Sequence, residues 1–157
     1  MRNKCRHPDI RDSADFFTID GPDWVVAIAL TPDNKLVMVN QFRFGSESLS
    51  WEMPAGCINP AEDPVAAALR ELAEETGYVP ASATLVGTCR PNPALQSNRC
   101  HFVLCMDARR TRETEFDEFE ELACTEMDVE AVKAAVREGT VHHALAIAAL
   151  FYLPPAP

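Results

Sequence analysis

The chain of 157 residues predicts an α/β fold, a mixed β-sheet sandwiched between helices (α/β/α). Three observations carry this. Two β-branched runs near the start are almost continuously apolar, which suggests a sheet covered on both faces. A central segment has helical periodicity with a marked beginning and end. Further strand-like runs then give way to two helical ones, and a sheet between helices is the economical way to bury all these faces.

Residues 1–15 are polar and charged and are expected to be frayed or loosely docked. Trp24 to Leu30 and Leu36 to Phe42 read as strands joined through Pro32-Asp33-Asn34, residues with turn chemistry. "LSWEMP", residues 49–54, is a shorter strand or extended segment. The next segment is a helix: Asp63 can cap it, Pro64 suits its first position, and Gly77 suits a left-handed stop. At 100° per residue Val65, Ala68, Leu69 and Leu72 share one side and Glu71, Glu74 and Glu75 another, so the acids are expected to project together, away from the core. Strands follow at "ATLVGT" and "HFVLCMDA", and a third at "FEELACTEM" after the acidic loop "RETEFDEFE". Asp128 to Glu138 reads as a helix with Thr125 as candidate cap and Gly139 as stop, and "VHHALAIAALFYL" as a final helix ended by Pro154 and Pro155. No repeat or linker divides the chain, and a single domain over residues 1–157 is expected.

Composition narrows the function. A formal net charge of −10 argues against nonspecific nucleic-acid binding, which needs a basic surface to displace counterions. It also discourages docking on anionic membranes, and no apolar run approaches the roughly 20 residues that span a bilayer. Six scattered cysteines, with no C-x-x-C pair and no secretory signal ahead of them, read as reduced thiols of a cytoplasmic protein. An acidic protein still binds an anionic substrate when metal cations bridge the two.

Glu71, Glu74 and Glu75 fall within one helical turn, where like charges weaken a helix by a few tenths of a kcal/mol per pair. A solvated face is the plain reading of three such acids alone. Their surroundings argue for another. Gly56, five residues, Glu62, seven residues, Arg70-Glu71-Leu72, one residue, Glu74-Glu75, one residue, Gly77-Tyr78 fills every fixed position of G-x5-E-x7-R-E-U-x-E-E-x-G-U, where U is bulky and apolar or aromatic. The segment resembles the Nudix box, and the chain is similar to Nudix hydrolases from about Trp24 to the C-terminal helix.

That resemblance implies hydrolysis of a nucleoside diphosphate linked to another group. Water must reach phosphorus through a field of negative oxygens, and Mg²⁺ screens that charge and acidifies bound water. Mg²⁺ takes carboxylates and water as ligands. Glu71 and Glu75, one turn apart, are the expected primary ligands, with Glu74 completing the cluster and Mn²⁺ able to replace Mg²⁺. The resemblance adds the Ala55 carbonyl as a ligand and gives Arg70 the task of holding a glutamate by bidentate hydrogen bonds. Glu62 is expected to tie loop to helix, and Gly56 to permit a close backbone approach.

The flanks "QFR" (41–43) and "WEMPAG" (51–56), with Pro93 about fifteen residues past the box, resemble the ADP-ribose and nucleotide-sugar pyrophosphatase branch. Many members carry a glycine and an acid after that proline, where this chain reads Ala94-Leu95-Gln96-Ser97-Asn98. Arg43 is either a grip for substrate phosphate or half of a salt bridge at the rim of the core. Glu52 binds substrate, orients the metal turn or is structural. Trp24 and Trp51 stack on a base or belong to the core, and His142 and His143 read as surface residues. The small-molecule nucleotide is the expected partner, and a homodimer is compatible with relatives that pair through N-terminal strands. Asp117-Glu118-Phe119-Glu120 matches a family pattern in a loop that supplies the catalytic base, which points to Glu118 first and Glu120 second. The alternatives are a nucleoside-triphosphate sanitising enzyme and a sensor that binds ADP-ribose without cleaving it.

Overall fold

The computed structural model describes residues 1–6, 13–115 and 122–155. Strands β1 (Arg2–Arg6) and β2 (Ser13–Phe17) form an antiparallel ribbon where a frayed segment was expected. The polar composition belongs to a ribbon whose second strand is exposed along its whole length. Arg2 pairs with Asp15 across it, and Asn3 Nδ2 donates to Thr18 Oγ1 at 3.0 Å.

Strand β3 (Trp24–Ala29) and β4 (Lys35–Arg43) are joined by the expected turn. Asn34 adopts a left-handed φ of 57° there, and its N–H donates to the Thr31 carbonyl at 2.9 Å. Asparagine tolerates that conformation better than most residues. Past the Leu30–Leu36 bridge the two strands part into separate sheets. The remaining elements are β5 (Ser48–Glu52), β6 (Ala55–Cys57), α1 (Pro64–Thr76), β7 (Tyr78–Val79), β8 (Ser82–Cys89), β9 (Cys100–Met106), β10 (Arg109–Arg110), β11 (Ala123–Asp128), α2 (Val129–Glu138) and α3 (Ala144–Ala149). One sheet has the order β6-β3-β9-β8, with β3 and β9 parallel and its other pairs antiparallel. The second is β11-β4-β5, and β7 pairs with β10 as a short ribbon.

The near-continuous apolarity of β3 has the predicted cause. Alternate side chains point to opposite faces, and both faces are covered. Val25, Ala27 and Ala29 pack with Val37, Val103 and Cys105 beneath Ala67, Ala68 and Leu72 of α1. Val26 and Ile28 pack with Leu36, Met38, Met53 and Phe102 beneath Val132 of α2 and Leu145, Ala146 and Ala149 of α3. Helix α1 therefore lies on one side of the sheet layer, and α2 and α3 on the other.

Two helix boundaries differ from the expectation. Thr125 lies within β11, paired with Met38, so Asp128 holds the N-cap position of α2. The final helical stretch is shorter than 141–153. Val141 N–H still donates to Ala135 O, α3 begins at Ala144, and Leu150–Tyr152 tighten into a 3₁₀ turn before Pro154. That turn stacks Tyr152 on Phe102, with ring centroids 4.8 Å apart. The ring occupies space over Gly87, at a bulge of β8, that a Cβ there would fill.

Candidate active site

Helix α1 is built as its end signals predict. The Asp63 side chain accepts from Val65 N (2.9 Å) and Ala66 N (3.2 Å), Pro64 starts the helix, and Gly77 closes it at φ 74° with its N–H on Ala73 O. Its buried stripe is rotated from the expected one. Ala67, Ala68, Leu72, Glu75 and Thr76 are buried, whereas Leu69 lies on the surface beside Val79 and Pro80. The acids therefore do not all point away from the core. Glu75 is 3% exposed, and the Glu71 and Glu74 side chains are 14% and 39% exposed.

The rotation aims two carboxylates at the β6 turn. Ala55 N–H donates to Glu75 Oε2 at 3.3 Å. A Cβ built on Gly56 would fall inside the Glu71 carboxylate. Glycine is required here because the side chain needs the space, not because of its backbone angles. Gly56→Ala is expected to push the Glu71 carboxylate aside. The obstacle is the far end of a side chain, so thermal stability should fall by no more than about 1–3 kcal/mol while turnover drops far more steeply. Melting temperature and kcat measured together check this; equal proportional losses would contradict it.

Arg70 is the hub of the opposite side. Its Nε and Nη2 donate to the two oxygens of Glu62, both at 3.0 Å, and Nη2 also donates to the Cys57 carbonyl. Nη1 donates to Glu71 (2.8 Å) and Glu74 (3.0 Å). The bidentate partner is thus Glu62 in the preceding loop, and Asn59 N–H adds a bond to the same carboxylate at 2.9 Å. These bonds, Arg70 first, pull the Glu62 carboxyl down to about 2 and hold the guanidinium charged. A depressed carboxyl stabilises the fold above its ordinary value of 4.5, and that stability is lost as pH falls toward 2. Wild type is expected to lose denaturant resistance across this window. Glu62→Gln should begin weaker at neutral pH and lose less on acidification, as urea midpoints at several pH values would show.

Three glutamates around one arginine, with Glu75 at the Ala55 N–H, leave the neighbourhood of the turn strongly negative, a field that concentrates cations. Among the described residues, no three acidic, histidine or cysteine side chains stand together at metal-ligand spacing. What the fold brings together is the carboxylates of Glu71 and Glu75 against the Ala55–Gly56 backbone, a pair of hard oxygen donors. It suits a hard divalent cation. Glu74, bonded to Arg70, faces outward toward a surface cleft.

On the other side of the turn lies a cavity of about 230 Å³ lined by Trp24, Arg43, Ala55, Gly56, His143 and Leu145, among others. Arg43 donates bidentately to the buried Glu52, Nε to Oε1 at 3.0 Å and Nη2 to Oε2 at 2.7 Å. The rim salt bridge is therefore present, and it also holds Arg43 at the cavity wall. Trp24 is half-buried and lines this cavity, while Trp51 packs on the core and borders a separate hollow. Pro93 is exposed in a turn closed by Leu95 N–H on Asn92 O, and is not among the lining residues of this cavity. His143, read from sequence as a surface residue, is a lining residue. No local signal reveals this, because Glu52 and His143 meet only when β5 and the start of α3 pack together.

Glu118 and Glu120 lie outside the described residues. Their described flanks approach the site. Thr111 and Arg112 N–H groups donate to Gly77 O, and Glu115 N–H donates to Glu74 O at 2.8 Å.

A sheet covered on both faces, with a capped helix presenting carboxylates to a glycine turn, defines a hydrolase of the Nudix class. Residues 21–148 match the NUDIX domain, and the chain belongs to the Nudix hydrolase family, whose members generally use divalent metal ions. It is 33% identical over 135 residues to the ADP-ribose pyrophosphatase of Bacillus subtilis, covering 84% of this chain and 72% of that protein. It is 30% identical over 133 residues to the methanol dehydrogenase activator of Bacillus methanolicus, with the same coverage. A 68-residue stretch is 43% identical to the ADP-sugar pyrophosphatase of Mus musculus, covering 43% of this chain and 31% of that one. The crystal structure of an ADP compounds hydrolase superposes with a TM-score of 0.79 at 24% identity, over 91% of this chain and 76% of that one, and shares the fold.

Proposed function

We propose that the protein hydrolyses the diphosphate bond of ADP-ribose or a related nucleoside diphosphate sugar, using Mg²⁺, with Mn²⁺ as a substitute. Water attacks one phosphorus, the bridging P–O bond breaks, and a nucleoside monophosphate and a sugar phosphate leave. The observation that carries the reading is the convergence of Glu71 and Glu75 on the Ala55–Gly56 turn, beside a cavity walled by Arg43. On this reading Glu71, Glu75 and the Ala55 carbonyl hold the cation, which lowers the pKa of bound water and offsets phosphate charge. Arg70 positions Glu71 and Glu74, and Glu74 completes the acidic cluster. Arg43, oriented by Glu52, brings its positive charge to the cavity wall, where it would attract a substrate phosphate. Pro93 acts indirectly, by shaping the turn between β8 and β9. Glu118 or Glu120 takes the proton from the attacking water.

The ADP-sugar preference draws on the names of the relatives from Bacillus subtilis and mouse and on the flanking motifs. Among the described residues no helix is long and apolar enough to cross a membrane, and we place the protein in the cytoplasm, acting on small nucleotides as one domain. A homodimer remains the assembly to test by light scattering. The deciding experiment is a panel of ADP-ribose, GDP-mannose, UDP-glucose, dinucleoside polyphosphates and nucleoside triphosphates assayed with Mg²⁺ or Mn²⁺. ADP-ribose is expected to have a higher kcat/KM than any triphosphate. A better triphosphate such as dGTP would move the enzyme to the sanitising branch, and tight binding without cleavage would make it a sensor.

A further inference from the structure

His143 stands at the N-cap of α3, yet its side chain makes no capping bond. It lines the cavity beside the Ala55–Gly56 turn instead. Its Nδ1 faces Glu52 Oε2 at 3.7 Å, and that same oxygen receives Arg43 Nη2. A buried carboxylate repels the lone pair of a ring nitrogen and attracts its N–H. That electrostatic preference favours the tautomer of neutral His143 that carries its proton on Nδ1, which leaves Nε2 as an acceptor. Burial lowers the pKa of His143, and the Arg43 charge adds to this against the opposing effect of Glu52, which favours the neutral ring. Among the described residues, no hydrogen bond engages Nε2.

An acceptor nitrogen is the wrong partner for a phosphate oxygen, which brings only lone pairs. It is the right partner for a hydroxyl. The cavity, about 230 Å³, is smaller than the roughly 300–1,000 Å³ that encloses a whole drug-sized ligand. It suits the smaller end of the proposed substrate, a sugar with its phosphate, and that phosphate lies within reach of Arg43 on the same wall. We propose that His143 is a substrate-binding residue that accepts a hydrogen bond from a hydroxyl of the terminal sugar. Arg43 and Glu52 thus divide the labour: Arg43 meets the charge of the diphosphate, while Glu52 fixes the tautomer that lets His143 read the sugar. The inference rests on the nucleoside diphosphate sugar reading and adds to it the residue that senses the sugar.

The test pairs two variants with two substrates. His143→Phe keeps an aromatic ring of similar shape without an acceptor, and His143→Gln supplies an amide oxygen. The substrates are ADP-ribose and β-methyl ADP, in which a methyl group replaces the entire terminal ribose. His143→Phe should raise KM for ADP-ribose by about tenfold, the effect of one good hydrogen bond, with kcat little changed. Its KM for β-methyl ADP should rise far less than its KM for ADP-ribose, and His143→Gln should recover part of the loss for ADP-ribose. A purely structural role for the ring would shift both substrates together, and that result overturns the inference, as does an unaltered KM for ADP-ribose. Wild-type protein that cleaves neither substrate would instead overturn the pyrophosphatase reading beneath it.

Discussion

Glu75→Gln is expected to fold as wild type does and to lose turnover by about three orders of magnitude. The amide matches the carboxylate in shape, and its oxygen still accepts from Ala55 N–H, so the packing of this 3% exposed side chain survives. What disappears is the charge that a hard cation requires. Charge stabilisation of this kind is worth several kcal/mol, and each 1.36 kcal/mol is tenfold in rate. Glu71→Gln should behave similarly, because its carboxylate occupies the space above Gly56. Glu74→Gln should cost less, since that side chain faces outward and is bonded to Arg70. Without metal the Glu75 variant should melt no lower than wild type, because it removes like-charge repulsion along the helix. Near-normal kcat for Glu75→Gln at saturating Mg²⁺ would refute the ligand assignment.

Loss of the base should be nearly as severe. A positioned general base contributes about 10²- to 10⁴-fold, so Glu118→Gln is expected to lower kcat within that range while cation binding persists. Glu120→Gln serves as the second candidate. Both candidates lie outside the described residues; among those ahead of them, Glu115 N–H donates to Glu74 O and Arg112 N–H to Gly77 O. Beyond them, Ala123 pairs with Asn40 of β4. The acidic limb of the pH–rate profile should vanish in the variant that lacks the base. If both variants keep full rate and the same limb, the proton goes to one of the box glutamates.

The parts of this fold that read clearly from sequence are those with local causes. Asp63, Pro64 and Gly77 mark α1 because each satisfies or terminates backbone groups within a few residues of itself. The strand β3 declares its two-sided burial through its own side chains. The rotation of α1 had no such signature. A wheel drawn by hydrophobicity places Leu69 inside and Glu75 outside, but the helix turns Glu75 inward because it packs over the short β6 strand and reaches Ala55 N–H. The ribbon of β1 and β2 was invisible for a related reason. Its strands bury too little for apolar alternation to appear, even Phe16 and Phe17 of β2 staying exposed, and cross-strand bonds hold it instead. The Arg43–Glu52–His143 grouping joins residues from β4, β5 and the start of α3, a proximity that only the packed sheets create.

The layer of α2 and α3 also has a consequence for synthesis. Val26 and Ile28 emerge early in translation, yet the residues that cover them, Val132, Leu145, Ala146 and Ala149, come far later in the chain. The parallel partner of β3 is itself β9, which follows α1 and β8. Until the segment through Tyr152 has emerged from the ribosome, one side of the sheet presents Ile28, Met38 and Phe102 without their cover. Such transient apolar surface is where nascent chains associate wrongly. Slowing elongation ahead of residue 141 should therefore lengthen the interval of chaperone dependence.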